Sequence, residues 1–333
     1  MSKEAKTEIT RVSQEAWRTV QKLTESIANS PPPVSLDEFA KGLGIRCIRF
    51  KPLLSDAGLS KSGENWEIVI NTEHRGITVA LRTRQSLDVG NWSELTRSLR
   101  FTTAHELAHL AFLKAANQDS QSELFRRNEK AIENGCNILA RIFLLPRQML
   151  IREIANRLFD VDHVCEILSS FQVSPEVFIR RLHLSDVDLR QSKGDGFLAF
   201  AHEEEGTIRV KACHILGTYG KQRFHQALQL DKNDGEISYR HRSLSADYKQ
   251  AKWALEGSTL DDVKLDKNKK IESALRNADR GQLELLVGLG EGNIIPCEFV
   301  FRRLDQKHRS LLIRLQVIGP VQKAGERTIL KGA

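Results

Sequence analysis

His105, Glu106 and His109 stand in one run, His105-Glu106-Leu107-Ala108-His109, within an otherwise apolar stretch. At 3.6 residues per turn, positions i and i+4 share one helix face, so both imidazoles can reach a single tetrahedral Zn2+. Glu106 sits one position on, beside such an ion but off the ligand line. There a carboxylate can take a proton from a zinc-activated water. The bland reading is a pair of histidines satisfied on a helix flank, and the Glu between them at this spacing argues against it.

A catalytic zinc takes three protein ligands and keeps a fourth position for water. The following helical stretch offers Glu129, Glu133 and Asn137, an i, i+4, i+8 row. Glu133 comes 24 residues after His109 (133 − 109), enough for a turn and an antiparallel return, and is the favoured third ligand. Glu129 lies nearer the turn between the helices. On its own, such a row would read as a solvated acidic stripe. Asn137, one turn beyond Glu133, is placed to orient a ligand imidazole through a hydrogen bond. Cys136 falls between them. As a fourth ligand it would close the site, so it is read as a small buried core residue.

The elements that must position these groups follow from periodicity. Residues 4–29 read as a helix, with Ile9, Val12, Ala16, Val20, Leu23 and Ile27 at three and four spacing. Pro31-Pro32-Pro33 stops it. Ser35-Leu36-Asp37-Glu38 predicts a capping box opening a short helix through Leu43, which Gly44 closes. Ile45–Phe50 and Trp66–Asn71 read as strands, with Gly58 and Gly63 in the loop between, and Val79–Thr83 as a weaker strand. Helices are expected from about Ser93 or Leu95 to Ala116 and from about Ser122 to Leu145, where Pro146 intervenes. Residues 147–184 are helical in two or three pieces, and Ser174-Pro175 marks a helix start within them. From about 190 the pattern turns β-like, at 197–202, 207–213, 283–289, 297–304 and 311–318, around a polar stretch at 231–271 that reads as loops plus one helix.

Four stretches occur in order: Pro32-Pro33-Val34-Ser35-Leu36; Trp66-Glu67-Ile68-Val69-Ile70-Asn71; Leu99-Arg100-Phe101-Thr102-Thr103-Ala104-His105-Glu106-Leu107-Ala108-His109; and Ile132-Glu133-Asn134-Gly135-Cys136-Asn137-Ile138-Leu139-Ala140-Arg141-Ile142-Phe143-Leu144-Leu145-Pro146. Over about residues 30–185 the chain resembles the ImmA/IrrE-type metallo-endopeptidases, zincin-like enzymes of bacteria and phages. On that resemblance His105, His109 and Glu133 carry over as zinc ligands and Glu106 as the catalytic glutamate. Ala108 stands where the family frequently has Gly.

The resemblance implies an α+β fold. A small sheet packs with the HExxH helix and the following Glu helix in a zincin-like domain, with a helix–turn–helix-like segment after it; beyond the resemblance, the β-like runs after 190 read as a separate β-rich α/β domain. The expected divisions are an N-terminal helix (1–30), the peptidase domain (31–148), the helical segment (149–190) and a sensor or partner-recognition domain (191–333), which in some family members is GAF-like. The implied activity is zinc-dependent cleavage of a protein regulator, most plausibly a helix–turn–helix transcriptional repressor, in a stress, phage or mobile-element response. The rival is a protease-like, antitoxin-like partner-binding module with little turnover, for which a retained general base would have no use. Imidazole and carboxylate ligands also suit Mn2+, so the metal follows availability as well as geometry.

Composition agrees with this frame. The 333 residues carry 50 basic and 43 acidic side chains, a net charge of +7. Together with the Arg180-Arg181 end of the 160–184 segment, that surplus is compatible with nucleic-acid contact, but a helical subdomain packed on the peptidase is the favoured reading. No run reaches the 18 or so apolar residues of a membrane helix, and the N-terminus lacks a signal-peptide core. The five Cys are scattered and never form a CxxC pair, which predicts reduced thiols and a cytoplasmic protein.

Overall fold

The computed structural model describes residues 3–117, 123–155, 160–182, 184, 196–204, 207–216, 230–231, 238–239, 280–290, 293–305, 310–317 and 322–323. The fold is mixed α+β. Two compact units divide the chain, residues 1–153 with 167–181, and residues 154–166 with 182–333. The segment expected at 149–190 therefore contributes to both. No helix among the described residues is long and apolar enough to cross a membrane.

The first unit opens with α1 (Lys3–Ser26), whose Ile9, Val12, Ala16 and Val20 are buried at the three and four spacing seen in the sequence. This stripe packs against α4 (Arg97–Ala115) and α6 (Glu129–Leu144), so the N-terminal helix belongs to the unit that carries the HExxH run. Helix α2 (Leu36–Leu43) ends on Gly44, whose φ of 72° is open to glycine at little cost. Ser35 does precede that helix, but its side chain makes no capping bond, and Glu38 pairs with Lys41 at 2.9 Å instead. The capping box is thus absent although the helix is present.

Strands β1 (Ile45–Lys51), β2 (Ala57–Ser62), β3 (Asn65–Asn71) and β4 (Ser86–Asp88) form a sheet in the order β2-β3-β1-β4. β2 and β3 make an antiparallel hairpin in which Leu59 faces Ile68, while β1 and β3 run parallel. Gly58 therefore lies in a strand rather than a loop. The run Ala-Gly-Leu-Ser-Lys-Ser has little β propensity, and pairing to β3 overrides it. Ile48, Ile68, Ile70 and Leu87 alternate onto one buried face. Val79–Arg82 is a short helix, α3, not the expected strand. The Thr78 side chain caps it by accepting from Leu81 N at 3.3 Å.

Helix α4 is buried almost all round: Leu99, Ala104, Leu107, Ala108, Leu110 and Ala111 are fully covered. A helix apolar on every side belongs at the centre of a core. The expected 122–145 helix divides at Asn128 into α5 (Glu123–Arg127) and α6. Next come α7 (Arg147–Ala155), α8 (Val161–Phe171) and α9 (Pro175–Leu182). Arg181 of α9 is fully buried, and its Nε donates to Leu145 O at 2.9 Å, tying α9 to the end of α6.

The second unit is built on an antiparallel sheet of β5 (Gly196–Glu204), β6 (Thr207–Leu216), β9 (Arg280–Gly290), β10 (Asn293–Asp305) and β11 (Ser310–Val317). Their order is β6-β5-β11-β10-β9, with the short β12 (Gln322–Lys323) on β10. Two-residue strands β7 (Leu230–Asp231) and β8 (Ser238–Tyr239) pair apart from it. Within this unit Arg302 bonds Asp162 at 2.8 Å. The helix expected in 231–271 falls on residues outside those described.

Candidate metal centre

Helices α4 and α6 pack on each other and present one cluster. Gly135 permits the close approach: a Cβ there would sit 2.7 Å from Phe112 Cζ, inside any normal contact. The Nε2 atoms of His105 and His109 are 3.0 Å apart. Glu133 straddles them, Oε2 at 3.1 Å from His105 Nε2 and Oε1 at 3.1 Å from His109 Nε2. Among the described residues these three side chains form the group able to hold a metal ion.

The triangle, with edges of 3.0–3.1 Å, is a few tenths of an ångström tighter than a zinc site. Bonds of about 2.0–2.1 Å in a tetrahedral Zn2+ site put neighbouring ligand atoms about 3.3–3.4 Å apart. The chemistry of the donors fits a metal ion. Burial lowers the pKa of both imidazoles, that of His109 to about 4, with the adjacent His105 adding to the effect there. With the proton of each neutral ring on Nδ1, two Nε2 lone pairs and a carboxylate would face one point. A cation placed there satisfies all three at once.

Glu106 belongs to α4 but not to the triad. It is buried, at 7% exposure. Burial, followed by the charge of Glu133, pushes its carboxyl pKa up to about 8. A cation held by the triad opposes that second contribution. Asn137 lies beside His105 and favours its proton-bearing form, while His105 Nδ1 is buried without a formed hydrogen bond. Cys136 is fully buried and outside the triad. Burial first, then Glu133 and Glu106, push its thiol pKa up, so it stays a neutral core group. Glu129, the other acidic residue on this side of α6, is exposed and takes no part.

Two neighbours carry no sequence motif. His74, in the loop after β3, is 4% exposed. Its Nδ1 accepts from Gly76 N at 3.0 Å, which leaves Nε2–H to donate to Thr102 Oγ1 at 3.0 Å, one turn before His105. Arg141 continues the Glu133–Asn137 row by one more turn. Nothing in the spacing of an isolated His or Arg announces such contacts. They arise when the loop after β3 folds back on α4 and when α6 docks.

Residues 92–183 match the peptidase M78 family model, described as the IrrE N-terminal-like domain. The match takes in α4, α6 and the whole triad. A solved structure of a transcriptional regulator from Mycobacterium tuberculosis is similar over 91% of this chain and 76% of its own, at 14% identity and a TM-score of 0.43. No curated protein matches the chain significantly.

Proposed function

We propose, from the match of residues 92–183 to the IrrE N-terminal-like model of the M78 peptidase family, that this protein is a zinc-dependent endopeptidase that cuts a protein regulator. The observation carrying the reading is the 3.0–3.1 Å triangle of His105, His109 and Glu133 with the buried Glu106 on the same helix. A structural zinc would be closed by a fourth protein ligand and would need no base.

In this reading His105, His109 and Glu133 hold the metal, and Asn137 orients the His105 ring. The bound ion supplies Lewis acidity, polarising the scissile carbonyl and acidifying water. Glu106 takes the proton from the attacking water and later delivers it to the leaving amine. Its burial shields that proton from bulk water. His74 and Gly135 act at one remove, the first holding the loop after β3 to α4, the second setting the distance between the two ligand-bearing helices.

The family resemblance points to a DNA-binding repressor of helix–turn–helix type as substrate and to the cytoplasm as the compartment. The antiparallel sheet of the second unit is the part of the chain assigned to sensing or partner recognition. Co-expression with a repressor encoded beside this protein tests the reading. Cleavage products that vanish with a chelator and with Glu106→Gln support it, and an intact repressor in the presence of zinc-loaded protein contradicts it.

A further inference from the structure

Arg141 is a charged group beside the triad that the proposed chemistry leaves without a task. It stands at i+8 from Glu133 and i+4 from Asn137, on the same face of α6. Because Cα–Cβ bonds in an α-helix tilt toward its N-terminus, the Arg141 side chain leans back over the turn that carries Asn137, which lies beside His105. Its positive charge is felt at His105.

What surrounds Arg141 does not neutralise it. The Nε is buried and has no hydrogen-bond partner, and no ion pair reaches the guanidinium among the described residues. Of its charged neighbours, Arg180 and Glu176 are bonded to each other, Arg180 Nε to Glu176 Oε1 at 2.9 Å. The carboxylate of that pair is thus already engaged by another guanidinium. Holding a half-buried cation without a partner costs free energy. The cost is recovered when a carboxylate arrives to make charge-assisted, two-pronged hydrogen bonds.

We propose that Arg141 is a specificity-determining residue, whose guanidinium receives a carboxylate of the bound peptide beside the metal triad. The carboxylate belongs either to an Asp or Glu side chain near the scissile bond or to the C-terminus of the ligand. This rests on the peptidase reading only in that the ligand is a peptide.

Binding to the full-length, metal-free protein tests it without any turnover. The probes are fluorescein-labelled, alanine-rich octapeptides with an amidated C-terminus, carrying one Glu at each position in turn, and their Gln twins. A further pair compares a free C-terminal carboxylate with its amide. Anisotropy titrations are expected to show one Glu position, or the free carboxylate, binding at least about tenfold tighter than its neutral twin, as a hydrogen-bonded charge pair should. Whichever pair shows the preference identifies the source. In Arg141→Gln the ratio falls to near one, while Arg141→Lys keeps part of it, since an ammonium keeps the charge and loses the fork.

Equal binding of the neutral twins by all three proteins shows that the variants fold. If Arg141→Gln binds no peptide at all, Arg141→Lys decides: a reduced ratio supports the assignment and an unchanged one overturns it. No preference in the wild-type protein, or one undiminished in Arg141→Gln, overturns it too. A protein that shows the preference yet cleaves nothing with zinc loses the peptidase reading and keeps Arg141. One that cleaves but shows no preference does the reverse.

Discussion

Glu67 on the sheet and Glu133 on α6 are both carboxylates facing basic side chains in the same unit, and they end in opposite conditions. Glu67 is 3% exposed and meets Arg49 in a two-pronged pair, Nε to Oε2 at 2.6 Å and Nη2 to Oε1 at 2.8 Å. Its hydrogen bonds to Arg49 hold its carboxyl below the usual range, and the pair is complete as it stands. Glu133 meets two imidazoles whose pKa values burial lowers, and among the described residues no Lys or Arg pairs with it. One cluster is closed within the chain, and the other has the donors to take up a cation. Proximity of acid and base is common to both. The protonation state of the basic partner separates a fold-stabilising pair from a site.

The largest expected effect breaks the site at its base. Glu106→Gln should lower peptide cleavage by about 10³-fold, the size of a lost general acid–base group, with zinc content unchanged. Full activity in this variant would remove Glu106 from its role.

Neutralising each carboxylate in turn sharpens the contrast itself. Glu133→Gln should weaken zinc binding by more than about 100-fold, since even the outer partners of metal ligands account for 10–100-fold. The melting temperature of the metal-free protein should hold or rise, because Glu106 loses a like charge nearby. Glu67→Gln should do the opposite, lowering the melting temperature and leaving zinc affinity alone. Calorimetric zinc titration and thermal melts of the two variants read both quantities, and similar behaviour of the two would erase the distinction.

A smaller effect is expected from the helix spacing. Gly135→Ala forces a Cβ onto Phe112 and should cost about 1–3 kcal/mol, as overpacking does. It should also weaken zinc binding several-fold by moving Glu133. Adding Phe112→Leu should recover part of both losses, and a lack of any recovery would mean that the contact is not the cause.

The mildest expected effect comes from acid. Burial holds the His74 pKa below 6.5, so the unfolded chain binds the proton more readily than the native one. Stability from this group is full above pH 6.5 and is lost as pH falls through the window below it. The Glu67 pKa is held below 4.5, so its contribution is full above that pH and is lost on further acidification. Melts of the metal-free protein should therefore decline in two stages, the first shared by His74 with His105 and His109, whose pKa values burial also lowers, so His74→Gln should shrink it without abolishing it. A single acid transition in the wild type, or a first stage undiminished in His74→Gln, would show that His74 is not among its sources.

The site was more legible than the frame around it. The HExxH spacing and the position of Glu133 are local consequences of helix geometry, and α4 and α6 carry strong patterns. By contrast, β2 has almost no β signature, and Val79–Arg82 looks like a strand because its apolar residues are adjacent. Only pairing with β3 and the Thr78 cap decide them. The break at Asn128 and the tertiary contacts of His74, Arg141 and Gly135 depend on how elements dock, which no local spacing records. The N-terminal helix shows the same limit: its apolar stripe is plain in the sequence, and its partners α4 and α6 are not.

Zinc stoichiometry tests the central assignment most directly. Full-length protein dialysed against buffered Zn2+ and measured by elemental analysis should hold one ion per chain, and His105→Ala, His109→Ala and Glu133→Ala should each hold essentially none. A wild-type chain that retains no zinc, or triad variants that retain it fully, would contradict the assignment.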